Sequence, residues 1–110
     1  MNIQIFGKSK CFDTKKAERW FKERRIKFQS IELVKYGISP GELKSVLGAV
    51  GLEALIDPKH PDAPLLNYLA YDADKVEKLL EDPRLLRTPI VRNGRQATVG
   101  YRPEVWQAWS

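Results

Sequence analysis

The 110-residue chain has the length of one domain, 1–110, and can bury a modest core. Its 43% hydrophobic and 30% charged residues and net charge of +5 exclude a disordered or low-complexity tract. One cysteine and one histidine exclude an internal disulfide and a Cys/His zinc cluster, so no metal ligands are assigned. No apolar run approaches the roughly 20 residues that span a bilayer. The opening Met1-Asn2-Ile3-Gln4-Ile5-Phe6 lacks a signal-peptide layout, so the expected location is cytoplasmic, with no membrane partner.

Residues 2–6 alternate as a short strand with Ile3 and Ile5 on one side. Gly7 to Lys10 forms a loop, and from about Thr14 to Arg25 the residues Ala17, Trp20 and Phe21 fall at helical spacing. Between Lys8 and Lys27 lie nine basic and three acidic residues. Glu18 and Glu23 interrupt that basic run, and the tryptophans sit at core spacing, so direct nucleic-acid binding is not expected. From Glu53 to Asp82 the balance reverses, with eight acids against Lys59, Lys75 and Lys78.

A second strand is expected over 27–33, far enough along the chain for a parallel crossover. Ser39-Pro40-Gly41-Glu42 has the pattern of a capping box, opening a helix with the stripe Leu43, Val46, Leu47, Val50 and ending at Gly51. The Pro-rich stretch 57–64 reads as a loop and 65–71 as a short helix. Asp72 or Asp74 is expected to cap another helix carrying Val76, Leu79 and Leu80, which ends at Asp82-Pro83. Residues 89–99 read as a hairpin around a tight Asn93-Gly94 turn, and Pro103 opens a last helix with Val105, Trp106 and Trp109 facing the sheet. The element order is strand–helix–strand, a helical middle, then strand–strand–helix. This predicts an α/β fold with a mixed sheet of about four strands and a helical insertion in the middle, and it resembles the order of the thioredoxin-like folds.

A lone cysteine is ordinarily a small buried hydrophobe. Cys11 departs from that because it lies outside the apolar stripe, where the first helix starts. Unpaired N–H groups and the helix dipole favour an anion there, and the thiolate is the nucleophilic form. Lys8, Lys10 and Lys15 add positive charge, and Thr14 is placed to donate its hydroxyl across the first turn; Asp13 opposes them. Pro89 heads a central strand without a ladder donor, and the Thr88-Pro89 bond is expected to be cis. His60, alone in the Pro-rich loop, is read as an exposed loop residue and not a base.

Two segments carry a family resemblance. Gly7-Lys8-Ser9-Lys10-Cys11-Phe12-Asp13-Thr14, continuing to Phe21, resembles the opening of the glutaredoxin-coupled arsenate reductase family, which includes the Spx-type transcription regulators. Arg87-Thr88-Pro89-Ile90-Val91 and Val99-Gly100-Tyr101-Arg102-Pro103-Glu104 are similar to its C-terminal signature. The resemblance implies a monothiol oxidoreductase with Cys11 as nucleophile and Thr14 in place of a hydrogen-bonding serine. It also implies that Arg102 and the Arg87-Thr88-Pro89 segment meet the substrate, with Lys8 and Lys10 nearby. The substrate would be a small oxyanion or a thiol, no cofactor would be bound, and glutathione with glutaredoxin would resolve the adduct.

The chain departs from the family where arginines bind oxyanion. Thr88 stands directly before the proline, with Arg87 one place earlier, and the middle stretch offers Asp57 and Lys59 but no arginine. An alternative reading is a Spx-type regulator that docks on RNA polymerase. With Thr14 in place of a second cysteine, it would work without an internal disulfide switch.

Overall fold

The computed structural model describes residues 1–109. Four strands, β1 (Ile3–Gly7), β2 (Phe28–Glu32), β3 (Ile90–Asn93) and β4 (Gln96–Val99), form one sheet in the order β2-β1-β3-β4. β1 runs parallel to β2 and antiparallel to β3, and β3 pairs antiparallel with β4. This is the four-stranded mixed sheet expected from the element order. The helices are α1 (Phe12–Glu23), α2 (Leu33–Tyr36), α3 (Pro40–Val50), α4 (Leu52–Leu55), α5 (Asp72–Glu81) and α6 (Pro103–Trp109). None is long and apolar enough to cross a membrane.

Both faces of the central strands are buried, so consecutive residues of one strand serve different cores. Ile3, Ile5 and Val91 meet Ala17, Trp20 and Phe21 of α1 and Trp106 of α6. Phe6 and Ile90 point the other way, into a core completed by Leu43 and Val46 of α3, Leu55, Leu79 of α5, and Leu85 and Leu86. The helical insertion is therefore the second wall of the molecule. An isolated antiparallel bridge, Ile56 with Leu86, ties it to the chain entering β3, reinforced by Asp57 N–H to the Leu85 carbonyl and Arg87 N–H to the Leu55 carbonyl, each at 2.7 Å.

The capping box at α3 forms as expected. Ser39 Oγ accepts from Glu42 N–H at 3.1 Å, and Glu42 Oε1 accepts from Ser39 N–H at 3.0 Å. Partial burial pushes the Glu42 carboxyl up, but the Ser39 bonds, Gln4 and the Arg92 charge outweigh it and leave it below the usual carboxylate range. Ser39→Ala is expected to cost about 1 kcal/mol in urea unfolding. Because the folded carboxyl ionises more readily than the unfolded one, this contribution is present at neutral pH and lost as pH falls through the folded value.

Several boundaries differ from the sequence reading. Leu33 leaves β2 to open α2, with its side chain in the core. The short helix α4 was not expected, and the helix expected over 65–71 is a 3₁₀ segment, Ala63–Tyr68. Neither Asp72 nor Asp74 caps α5. Tyr71 takes the N-cap position, and both acids lie in the first turn, where they complement the helix dipole. The hairpin loop is Gly94-Arg95, since Asn93 pairs with Gln96, and Gly94 takes φ +61. A positive φ at the first loop position suits a type II′ turn and the twist of the flanking strands.

Candidate active site

Cys11 is the N-cap of α1, and no side-chain hydrogen bond caps the helix there. A Lys8–Cys11 turn, closed by Cys11 N–H to the Lys8 carbonyl at 3.1 Å, presents the sulfur to the helix start. The sulfur thus occupies the place of an N-cap oxygen, facing N–H groups that lack intrahelical partners. Across the sheet, the Thr88-Pro89 bond is cis, and the thiol donates to the Thr88 carbonyl at 3.6 Å.

Partial burial pushes the Cys11 thiol up. The Thr14 and Thr88 side chains and the backbone N–H groups of Thr14 and Asp13 together outweigh it, leaving the thiol below its ordinary value. Thr14 is 7% exposed, and its buried hydroxyl has no hydrogen-bond partner in this resting geometry. It lies close enough to stabilise charge on the sulfur and falls short of a hydrogen bond to it. Such an unmade buried bond is an acceptor vacancy for a thiolate to fill.

Thr14 reaches this position because Gly7 has no side chain. A Cβ at Gly7 would run into Thr14 Cγ2 and lie 2.8 Å from Thr14 Oγ1 and 3.1 Å from its Cβ. The glycine therefore lets α1 seat its first turn directly on the end of β1.

Around the sulfur opens a cleft of about 570 Å³ lined by Lys8, Lys10, Cys11, Phe12, Asp13, Asp57, Pro58, Lys59, Arg87 and Thr88. The structure thus brings together Cys11, Lys8, Lys10, Arg87 and Thr88, with Thr14 beneath the sulfur and Pro89 buried behind Thr88. It does not bring Arg102 to the cleft lining. That residue is exposed, and its Nε donates to Glu104 Oε1 at 2.7 Å.

Two features of the cleft went unread in the sequence. Phe12 is 79% exposed beside the nucleophile. The available signal was an aromatic residue off the Thr14–Ala17–Phe21 stripe at a helix start. The other is an ion pair, Lys8 Nζ with Asp57 Oδ2 at 3.5 Å, in which the ammonium also donates to the Arg84 carbonyl at 3.0 Å.

His60 is half-buried, a correction to the exposed loop residue expected. Its Nδ1 accepts from Asp62 N–H at 3.0 Å, and its Nε2 faces Asp82 at 3.5 Å. His60, Asp62 and Asp82 hold metal-ligand atoms within 4.8 Å of one another. The Asp62 N–H already uses Nδ1, and the Arg84 guanidinium already holds Asp82 at 2.9 Å, so these contacts brace the Pro-rich loop.

A family model described as the ArsC family matches residues 6–109. The chain belongs to the ArsC family. Among curated relatives, global transcriptional regulator Spx 2 of Oceanobacillus iheyensis is 31% identical over 110 residues, covering 94% of this chain and 80% of the relative. Arsenate reductase from Vibrio cholerae superposes with TM-score 0.82 at 25% identity, covering 98% of this chain and 97% of that one. An ArsC-family-related protein from Bacteroides fragilis gives TM-score 0.84 at 20% identity over the full length of both chains, a likeness of fold alone. The ArsC family fold is thioredoxin-like, as the order of elements implied.

Proposed function

We propose that this ArsC family chain is a monothiol oxidoreductase whose nucleophile is Cys11. The carrying observation is a sulfur at an uncapped helix start, with an unpartnered hydroxyl beneath it and an open cationic cleft above. In the forward step, the Cys11 thiolate attacks the glutathione sulfur of a substrate disulfide, such as the mixed disulfide of glutathione with another thiol. The S–S bond breaks, a mixed disulfide forms on Cys11, and the departing thiolate takes a proton from water. A second thiol, from glutathione or glutaredoxin, then attacks the mixed disulfide, returns the Cys11 thiolate and is itself oxidised. An oxyanion such as arsenate is the other electrophile that the family relationship suggests. No cofactor takes part in either route, because the electrons come from the co-substrate thiol.

Cys11 alkylation by iodoacetamide, followed against pH, tests the reading. Half-maximal reactivity is expected clearly below the free thiol value of about 8.5, with Cys11→Ser as the blank. A midpoint at or above that value overturns the proposal. Activity would then be followed as glutathione-coupled reduction of disulfide and of arsenate.

The 31% identity to a Spx regulator favours one further reading, docking on RNA polymerase. With one cysteine, that docking would not be switched by an internal disulfide. Capture of polymerase subunits by purified, tagged protein supports it, and absence of any enriched subunit counts against it.

A further inference from the structure

The cleft holds four cations, yet its best-placed one is already committed. Lys8 Nζ sits between Asp57 Oδ2 and the Arg84 carbonyl. Asp57 is held just as firmly. Its Oδ1 accepts from Lys59 N–H at 3.0 Å, and its own N–H bonds the Leu85 carbonyl in the segment that bridges to β3. A fixed carboxylate therefore faces the same cleft as the nucleophile. Lys10, Lys59 and Arg87 lie exposed at the rim, and none of them has an ion-pair partner among the described residues.

A compact dianion at Cys11 needs cations converging within a few ångströms, and it meets the repulsion of Asp57 there. A larger, flexible thiol or disulfide places its sulfur at Cys11 and its carboxylates several ångströms away, where the rim cations stand. We propose that Asp57 is a specificity-determining residue of this cleft, neutralising Lys8 so that the site rejects compact oxyanions and accepts disulfides with peripheral carboxylates. This deepens the thiol-exchange reading and rests on it.

The test compares Cys11 alkylation by iodoacetate and by iodoacetamide. Both reagents need the same thiolate, so their rate ratio cancels any change in its population and reports local charge. Removing one fixed charge in Asp57→Asn is expected to raise the iodoacetate-to-iodoacetamide ratio on the order of 3–10-fold at low salt, shrinking as salt rises. The amide keeps an oxygen for the Lys59 N–H. Inorganic sulfate, a compact dianion, should protect Cys11 in Asp57→Asn and not in the wild type.

Lys8→Met supplies an independent arm, because it leaves Asp57 unneutralised and should lower the ratio. Arg87→Met and Lys10→Met should slow reaction with glutathione disulfide more than with the neutral 2-hydroxyethyl disulfide. An unchanged alkylation ratio in both Asp57→Asn and Lys8→Met overturns the proposal. Failure of the thiol-exchange reading looks different: an ordinary Cys11 pH midpoint and no reaction with glutathione disulfide, whatever the alkylation ratio does.

Discussion

Trp106→Ala is expected to lower stability by about 3–5 kcal/mol, the range for emptying a large aromatic from a core. Trp106 is 1% exposed and joins three parts of the molecule. Its ring lies edge-on to Trp20 at 5.5 Å and tilted against Phe21 at 5.2 Å, which fastens α6 to α1. Tyr101 closes over it edge-on at 5.5 Å. Its Nε1 donates to Thr98 Oγ1 at 2.7 Å, a buried bond that ties α6 to β4.

The alanine variant loses the packing and leaves the Thr98 hydroxyl unpartnered in the core, so the two losses add. Urea unfolding reads the result. With a slope of about 1–3 kcal/mol per molar, the midpoint should fall by more than about 1 M. Trp106→Phe separates the contributions, since it keeps most of the ring contact and removes the donor, and should lose about 1–3 kcal/mol. A midpoint for Trp106→Ala within 0.3 M of wild type, as an approximate bound, would contradict this account of the core.

Gly7→Ala couples stability to chemistry. The added methyl would run into the Thr14 Cγ2 methyl and crowd its hydroxyl and Cβ, and rotating the Thr14 side chain moves the first two but not Cβ. Overpacking of this kind costs about 1–3 kcal/mol. Because Thr14 must shift, its hydroxyl moves away from the sulfur, and the midpoint of the Cys11 alkylation profile should rise.

Thr14→Ala in the Gly7→Ala background should recover most of the stability while leaving the thiol midpoint high. The single variant Thr14→Ala should raise the midpoint at unchanged Gly7. This cycle distinguishes a positional role for Gly7 from a general loss of structure, which would move stability and midpoint together. Recovery of both properties in the double variant would show that the thiol does not depend on the Thr14 hydroxyl.

Elements set by local pattern were legible in the sequence. The alternation of Ile3 and Ile5 gave β1, the Ala17–Trp20–Phe21 spacing gave α1, and Ser39 with Glu42 gave the start of α3. Cys11 at a helix start was legible for the same reason, because its neighbours along the chain decide it. What was not legible depends on contacts between distant segments. The short α4 and the 3₁₀ segment at Ala63–Tyr68 are stabilised by packing on the sheet, and no periodic stripe of that length announces them.

The Lys8–Asp57 pair exists only because the Ile56–Leu86 bridge carries the insertion beside the first loop. Asp57 was visible in the stretch that offers no arginine, but not as the partner of Lys8. Arg102 matches the family tail by sequence, whereas its short reach to Glu104, two positions on, decides where its guanidinium rests. Asp72 shows the opposite limit: a good capping residue one position too late becomes a first-turn charge instead.

The contact between Cys11 and Thr88 spans 77 positions of the chain, and that between Lys8 and Arg84 spans 76. Loops of that length close late, after the local helices have formed. During refolding, α1 alone already lowers the Cys11 thiol while the sulfur stays solvent-facing, and only docking of the C-terminal hairpin on β1 adds the Thr88 contact and partly buries the sulfur. Its reactivity toward a pulse of alkylating reagent then serves as a clock for the last closure of the chain, telling a finished molecule from one that has only its helices.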